Sequence, residues 1–186
     1  MRLFLIAILL AATLAAAAKP TVYFIRHGEK PKKGDGLSAD GVKRAQCLRG
    51  VFGVASDYNI THVMAQRPKK NGKQKRPYDT VLPLAKDMGL DVDTSCKRDD
   101  IDCVVDVIEN YSGHGNILIC WEHKRLRDVA KALGVKKIKK YPKKAFNLIY
   151  TVPPEIQGGH RNHFGELPRL RQVMIYPPRQ RIPVAL

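Results

Sequence analysis

Apolar residues in this chain come in short β-branched and aromatic bursts separated by helical stretches, and that alternation limits the folds open to it. Residues 21–26 (TVYFIR), 60–65 (ITHVMA) and 117–121 (ILICW) read as strands. The last is apolar throughout, as a strand buried on both faces must be. Between them lie amphipathic helical patterns. One starts at a Ser38 cap and runs to about residue 52, with Val42, Ala45, Leu48 and Phe52 at helical spacing. Others cover residues 77–88, ended by Gly89, then 100–111, then 123–133, ended by Gly134. Residues 145–152 and 171–176 add two further strand-like runs. Such alternation requires crossover connections. The expected fold is therefore α/β, a three-layer sandwich whose mostly parallel sheet is covered on both faces. Ligands of such sheets bind at the carboxyl ends of the strands.

Residues 1–18 stand apart. A Met-Arg start, an uncharged apolar run and a closing string of alanines are expected to form a secretory signal peptide, cleaved after Ala17 or Ala18. The run falls short of the ~20 residues that span a bilayer, so no stable membrane span is expected. Residues 19–186 are expected to make one secreted domain. Export makes the four cysteines informative. Cys96 and Cys103 flank a polar loop and are the expected bridge; Cys120, inside an apolar strand, is expected as a buried thiol. No C-x-x-C pattern supports zinc or thioredoxin-like chemistry. His160 and His163 have no third ligand in view, so no metal site is expected.

Basic residues outnumber acidic ones 33 to 17, for a net charge of +16. That disfavours an acidic binding surface and points to an anionic partner or substrate. Residues 67–76 carry six Lys or Arg, and residues 136–144 carry six Lys. Both runs are candidate polyanion surfaces or simply solvated faces. Tyr141 is the one aromatic residue within the two runs, too little interleaving for base stacking, so specific nucleic-acid binding is not expected.

Three chemically loaded points fall at carboxyl ends of strands: Arg26-His27-Gly28-Glu29, the basic loop leading to Arg76, and His123 at a helix N-terminus. Arginine offers a planar fork of donors for phosphate. Histidine can be a nucleophile or an acid–base group near neutral pH. Glycine permits a sharp turn beside a ligand. Two arginines and two histidines on one spot suit in-line phosphoryl transfer.

The run Tyr23-Phe-Ile-Arg-His-Gly-Glu-Lys-Pro31, followed by Leu37-Ser38-Ala-Asp-Gly41 and Ala45-Gln46, resembles the histidine phosphatase superfamily with its phosphoglycerate mutase-like fold. Arg76 with Thr80 and the strand ending in His123 are similar to its later elements. The resemblance covers most of residues 20–152. It implies that His27 is a nucleophile forming a phosphohistidine, which water hydrolyses. It implies that Arg26, Arg76 and His123 hold the phosphoryl group of a small phosphorylated substrate. A carboxylic acid would protonate the leaving group. By resemblance to the mutase-like branch, Asp100 is the first choice, then Asp99, with Glu122 a further candidate. The mechanism requires no metal or organic cofactor.

Two features depart from the family pattern. Trp121-Glu122-His123-Lys124 crowds the second histidine, where relatives carry small residues. The loop before Arg76 is long, which makes Arg67 its rival. The leading expectation is a secreted phosphoric monoester hydrolase. The alternative is a non-catalytic protein on the same fold that grips phosphate or polyanions through its basic loops.

Overall fold

A computed structural model describes residues 19–136 and 138–154, with the backbone of 171–174. Residues 1–18, Lys137 within the second basic run, and His160 and His163 lie outside the described residues. In chain order the elements are β1 (Val22–Arg26), α1 (Ala39–Phe52), β2 (Ile60–Ala65), α2 (Arg76–Asp87), β3 (Val92–Asp93), α3 (Ile101–Glu109), β4 (Asn116–Trp121), α4 (His123–Ala132), β5 (Leu148–Val152) and β6 (Arg171–Met174).

The strands form one sheet in the order β3-β2-β4-β1-β5-β6. The first four are mutually parallel. β5 runs antiparallel to β1, and β6 antiparallel to β5. The alternating faces of the strands sort the core into two layers. Val22, Phe24, Ile117, Ile119 and Trp121 face α3 and α4, packing with Val104, Ile108, Leu126 and Val129. Ile25, Val63, Leu118 and Cys120 face α1 and α2, packing with Leu48, Phe52, Val81 and Leu84. β4 contributes fully buried side chains to both layers, which explains its unbroken apolar sequence.

Three details differ from the sequence expectations. β3 is only two residues long, too short for a periodic signal. The strand expected over 145–152 begins at Leu148, because residues 141–147 are committed to the site described below. Val42 is 50% exposed, and Gly41, one residue earlier, is the buried position, packed against Glu29 and Leu37.

The direction of β5 matters most for function. α4 carries the chain away from the carboxyl edge of β4, and an antiparallel β5 must start back at that edge. Residues 133–147 therefore climb back across the end of β1, where Ile25 pairs with Ile149.

The α1–sheet contact can be tested at two positions. Leu48→Ala, in the core, is expected to cost about 2–5 kcal/mol of unfolding free energy. Gly50→Ala, where an added Cβ meets open space within the same helix, should gain about 0.5–1 kcal/mol. Urea denaturation of both variants checks the pair.

Candidate active site

β1 ends at Arg26, paired across the ladder with Trp121 of β4. The His27 backbone N–H still donates to the Trp121 carbonyl at 3.3 Å, which holds the next residue at the sheet edge. Arg26 and His27 are only 8% and 7% exposed. The chain then turns through Gly28, whose N–H donates to Thr80 Oγ1 at 2.8 Å. That hydroxyl spends its one proton on the Arg76 carbonyl at 2.7 Å. Thr80 thus ties the residue after His27 to the first turn of α2. A Cβ at Gly28 would stand 2.9 Å from the Gly41 carbonyl oxygen, so α1 approaches too closely for any side chain there. Glu29 completes the clamp. Its carbonyl accepts from the Ser38 N–H, and its carboxylate accepts a bidentate fork from Arg44.

His27 Nδ1 lies 2.7 Å from the Gly28 carbonyl. A carbonyl can only accept, so Nδ1 carries the proton and the Nε2 lone pair is left for chemistry in the neutral ring. Burial first, and the charges of Arg26, Arg76 and His123 after it, bring the His27 pKa down to about 4 against the Gly28 hydrogen bond. Arg26, Arg76 and His123 are therefore gathered around one buried neutral imidazole.

Each of the three has its own seat. Arg26 Nη1 donates to the carbonyls of Lys143 and Ala145 at 2.9 and 2.8 Å. Its guanidinium stacks 3.8 Å from the centre of the Phe146 ring, with Tyr141 on a second side at 5.9 Å. The Tyr141 hydroxyl bonds both the N–H and the carbonyl of Leu148, which fixes that strap to the start of β5. Arg26 Nε is buried without a protein partner. Arg76 reaches across to the carbonyls of Gly36 and Gly34, at 3.0 and 2.9 Å. His123 is the first residue of α4. Burial and the nearby Arg26 charge hold its pKa below the ordinary value, and Glu122 opposes them. Glu122 Oε1 lies 3.0 Å from His123 Nδ1, but the pair lacks hydrogen-bond alignment, so it attracts only when the ring is protonated. Glu122 Oε2 accepts from the Lys124 N–H and caps α4.

The carboxylates favoured from sequence sit elsewhere. Asp100 caps α3, accepting from the Cys103 N–H at 3.3 Å. Asp99 is held by Arg98 and Arg125, whose hydrogen bonds keep its carboxyl below the usual range. Glu122 is the carboxylate beside His123. Arg67 donates to the carbonyls of Thr94 and Ser95, so Arg76 and not Arg67 acts on His27. Three contributors were not singled out from sequence. Phe146 and Tyr141 are aromatic residues embedded in a lysine-rich run, a placement a purely solvated face would not need. Gln66, 2% exposed, accepts from the Glu122 N–H at 3.1 Å and offers no periodic signal. The expected Cys96–Cys103 disulfide is formed, and Cys120 is a buried free thiol.

No family model and no curated protein sequence matches the chain. Solved structures do. The protein histidine phosphatase SixA complexed with tungstate superposes with a TM-score of 0.56 at 12% identity, over 83% of this chain and 96% of that one. A mycobacterial glucosyl-3-phosphoglycerate phosphatase complexed with inorganic phosphate gives 0.53 at 12%, over 84% and 96%. The SixA protein of Agrobacterium tumefaciens gives 0.52 at 11%, over 83% and 97%. At such identities the likeness speaks for architecture alone: the chain shares the phosphoglycerate mutase-like α/β fold of these structures.

Proposed function

We propose that the protein is a phosphatase that hydrolyses a phosphate monoester through a phosphohistidine on His27. The observation that carries this reading is the neutral buried imidazole, proton on Nδ1 and lone pair on Nε2, ringed by Arg26, Arg76 and His123. Nε2 attacks phosphorus in line, and the bond to the ester oxygen breaks. The developing charge on the phosphoryl oxygens is stabilised by the two guanidiniums and His123. Arg26 Nε, buried without a protein partner, is the donor a phosphoryl oxygen satisfies. Glu122, beside His123, delivers a proton to the leaving alcohol. Water then attacks phosphorus and gives a proton to the Glu122 carboxylate, the P–N bond breaks, phosphate leaves, and Nε2 regains its lone pair.

The Cys96–Cys103 bridge and the signal-like residues 1–18 support export as the setting of this activity. The lysines at 139–144 lie beside the strap over Arg26 and attract anionic substrate towards the site.

One observation favours a second reading, a non-catalytic phosphate or polyanion holder. Arg26 Nη1 and Arg76 Nε and Nη2 already donate to backbone carbonyls, which gives both side chains a positioning task that holds without turnover. Phosphate release from an aryl phosphate, with chelator present, decides between the two. In the phosphatase reading wild type turns over and His27→Gln falls to background. Absence of turnover in wild type from acid to neutral pH rejects it.

Two further outcomes follow from the geometry. Glu122→Gln is expected to slow hydrolysis of an alkyl phosphate by about 10²–10⁴-fold. A nitrophenyl phosphate, whose leaving group needs no proton, should be affected far less. Second, ¹⁵N NMR is expected to find the His27 imidazole neutral at pH 5 in the native protein, with a titration midpoint of about 4. Arg76→Ala removes a positive charge and raises that midpoint. The unfolded chain binds the proton near pH 6.5, so the His27 contribution to stability falls as pH drops from about 6.5 to about 4.

A further inference from the structure

The sheet edge that carries His27 also carries a second cavity, about 700 Å³ in volume, where residues 67–70 and 74 face residues 97–100. These segments follow β2 and β3, which run parallel to β4 and β1, so the cavity opens at the same edge. β4 separates β2 from β1, which sets the cavity roughly 10 Å from His27, two strand spacings away. Glu122 lies between the two places. Its charge acts on both Arg26 and Arg98, and its N–H is held by Gln66.

The cavity's charges are unevenly matched. Arg98 is paired with Asp99, Arg67 is spent on backbone carbonyls, and Asp100 caps α3. Lys69, Lys70 and Lys97 are exposed and make no side-chain hydrogen bond or ion pair among the described residues. What separates them from ordinary solvated lysines is the rigidity of both walls. The Arg67 N–H donates to the Cys96 carbonyl at 2.8 Å and joins the walls at their base. The other end of the first wall is held by Gln66, which donates to the Gln74 carbonyl at 3.4 Å. A tight turn, Gly72 N–H to the Lys69 carbonyl, sets the Lys69–Lys70 corner. The second wall is bracketed by the Cys96–Cys103 disulfide and pinned by Trp121 Nε1, which donates to the Arg98 carbonyl at 2.9 Å. Three lysines with no ion-pair partner among the described residues thus line a cavity whose backbone frame loses little freedom when an anion enters.

We propose that this cavity binds a second phosphate group on the molecule whose ester is cleaved at His27. The substrate class is a bisphosphate with its phosphates roughly 10 Å apart, set by two strand spacings. The proposal rests on the reading that the His27 pocket takes a phosphate. A free polyphosphate offers the same chemistry from a separate molecule, and the experiment separates the two sources.

Binding is measured by calorimetry on the full chain carrying His27→Gln, which removes turnover from the readout. The probes are hexanediol bisphosphate, its one-phosphate counterpart hexyl phosphate, and inorganic tripolyphosphate. The expected result is that the bisphosphate binds at least ~10-fold more tightly than hexyl phosphate. The advantage should shrink with added salt and vanish in Lys69→Gln/Lys70→Gln/Lys97→Gln. Lys97→Gln alone should show part of the same loss, which covers the case of a poorly folded triple variant. An equal affinity for the two probes, or an advantage that survives the lysine substitutions, overturns the proposal. So does lysine-dependent binding of tripolyphosphate with no advantage for the bisphosphate, which would make the ligand a separate polyphosphate. Wild-type hydrolysis of the bisphosphate, hexyl phosphate and an aryl phosphate is followed in parallel. Its absence with all three rejects the phosphatase reading without deciding whether the cavity binds phosphate.

Discussion

The parallel ladder between β1 and β4 is the constraint on which the site depends. It sets Arg26 opposite Trp121, so the residues that follow each strand, His27 and His123, leave the sheet side by side. Neither strand could hold that position alone. β4 is buried on both faces, and its neighbours β2 and β1 supply the ladders its backbone needs. The two helical layers then fix the strand ends. Thr80 ties α2 to Gly28, and Arg44 ties α1 to Glu29. Site geometry is therefore a property of the sheet, adjusted by one hydroxyl and one guanidinium.

The electrostatics follow from the same crowding. Several cationic groups converge where burial disfavours charge, and the molecule resolves this in two ways. The imidazole of His27 stays neutral, its pKa driven down by burial first and by the surrounding positive charge second. Arg26 cannot shed its proton, so its charge is satisfied by two carbonyls and a stacked aromatic ring. The strap that supplies those partners exists because β5 runs backwards. In a fully parallel sheet, the chain would reach β5 from the opposite edge and nothing would cover Arg26.

Much of this was legible in the sequence, and the failures have physical causes. The strands at 22–26, 60–65 and 116–121 announce themselves by β-branched and aromatic runs, and the tight Arg-His-Gly turn by its residue types. Ser38 caps α1 as its chemistry suggests. Val42 was misplaced because helical spacing alone does not distinguish it from Gly41, which packs against the Glu29 backbone where no side chain fits. Asp100 caps α3, and a helix cap and a proton donor have the same side chain; the difference lies in what surrounds it. Strap residues Tyr141 and Phe146 act through contacts with Arg26 over more than a hundred positions of sequence, and no local pattern encodes such contacts. The expectations for residues 1–18 and for His160 and His163 fall outside the described residues.

The strap has a consequence for the order in which the chain is made. Arg26 precedes its two carbonyl partners by 117 and 119 residues. A nascent chain that has already emerged through β4 holds the ladder partners of β1, yet lacks the acceptors and the ring that make burial of this guanidinium tolerable. Until residues 141–149 arrive, Arg26 is best served by water, and the end of β1 has reason to stay open. Closing of the phosphate-facing edge is thereby tied to the last third of the chain, so a truncated product keeps much of the sheet's ladder while leaving its most reactive corner unassembled.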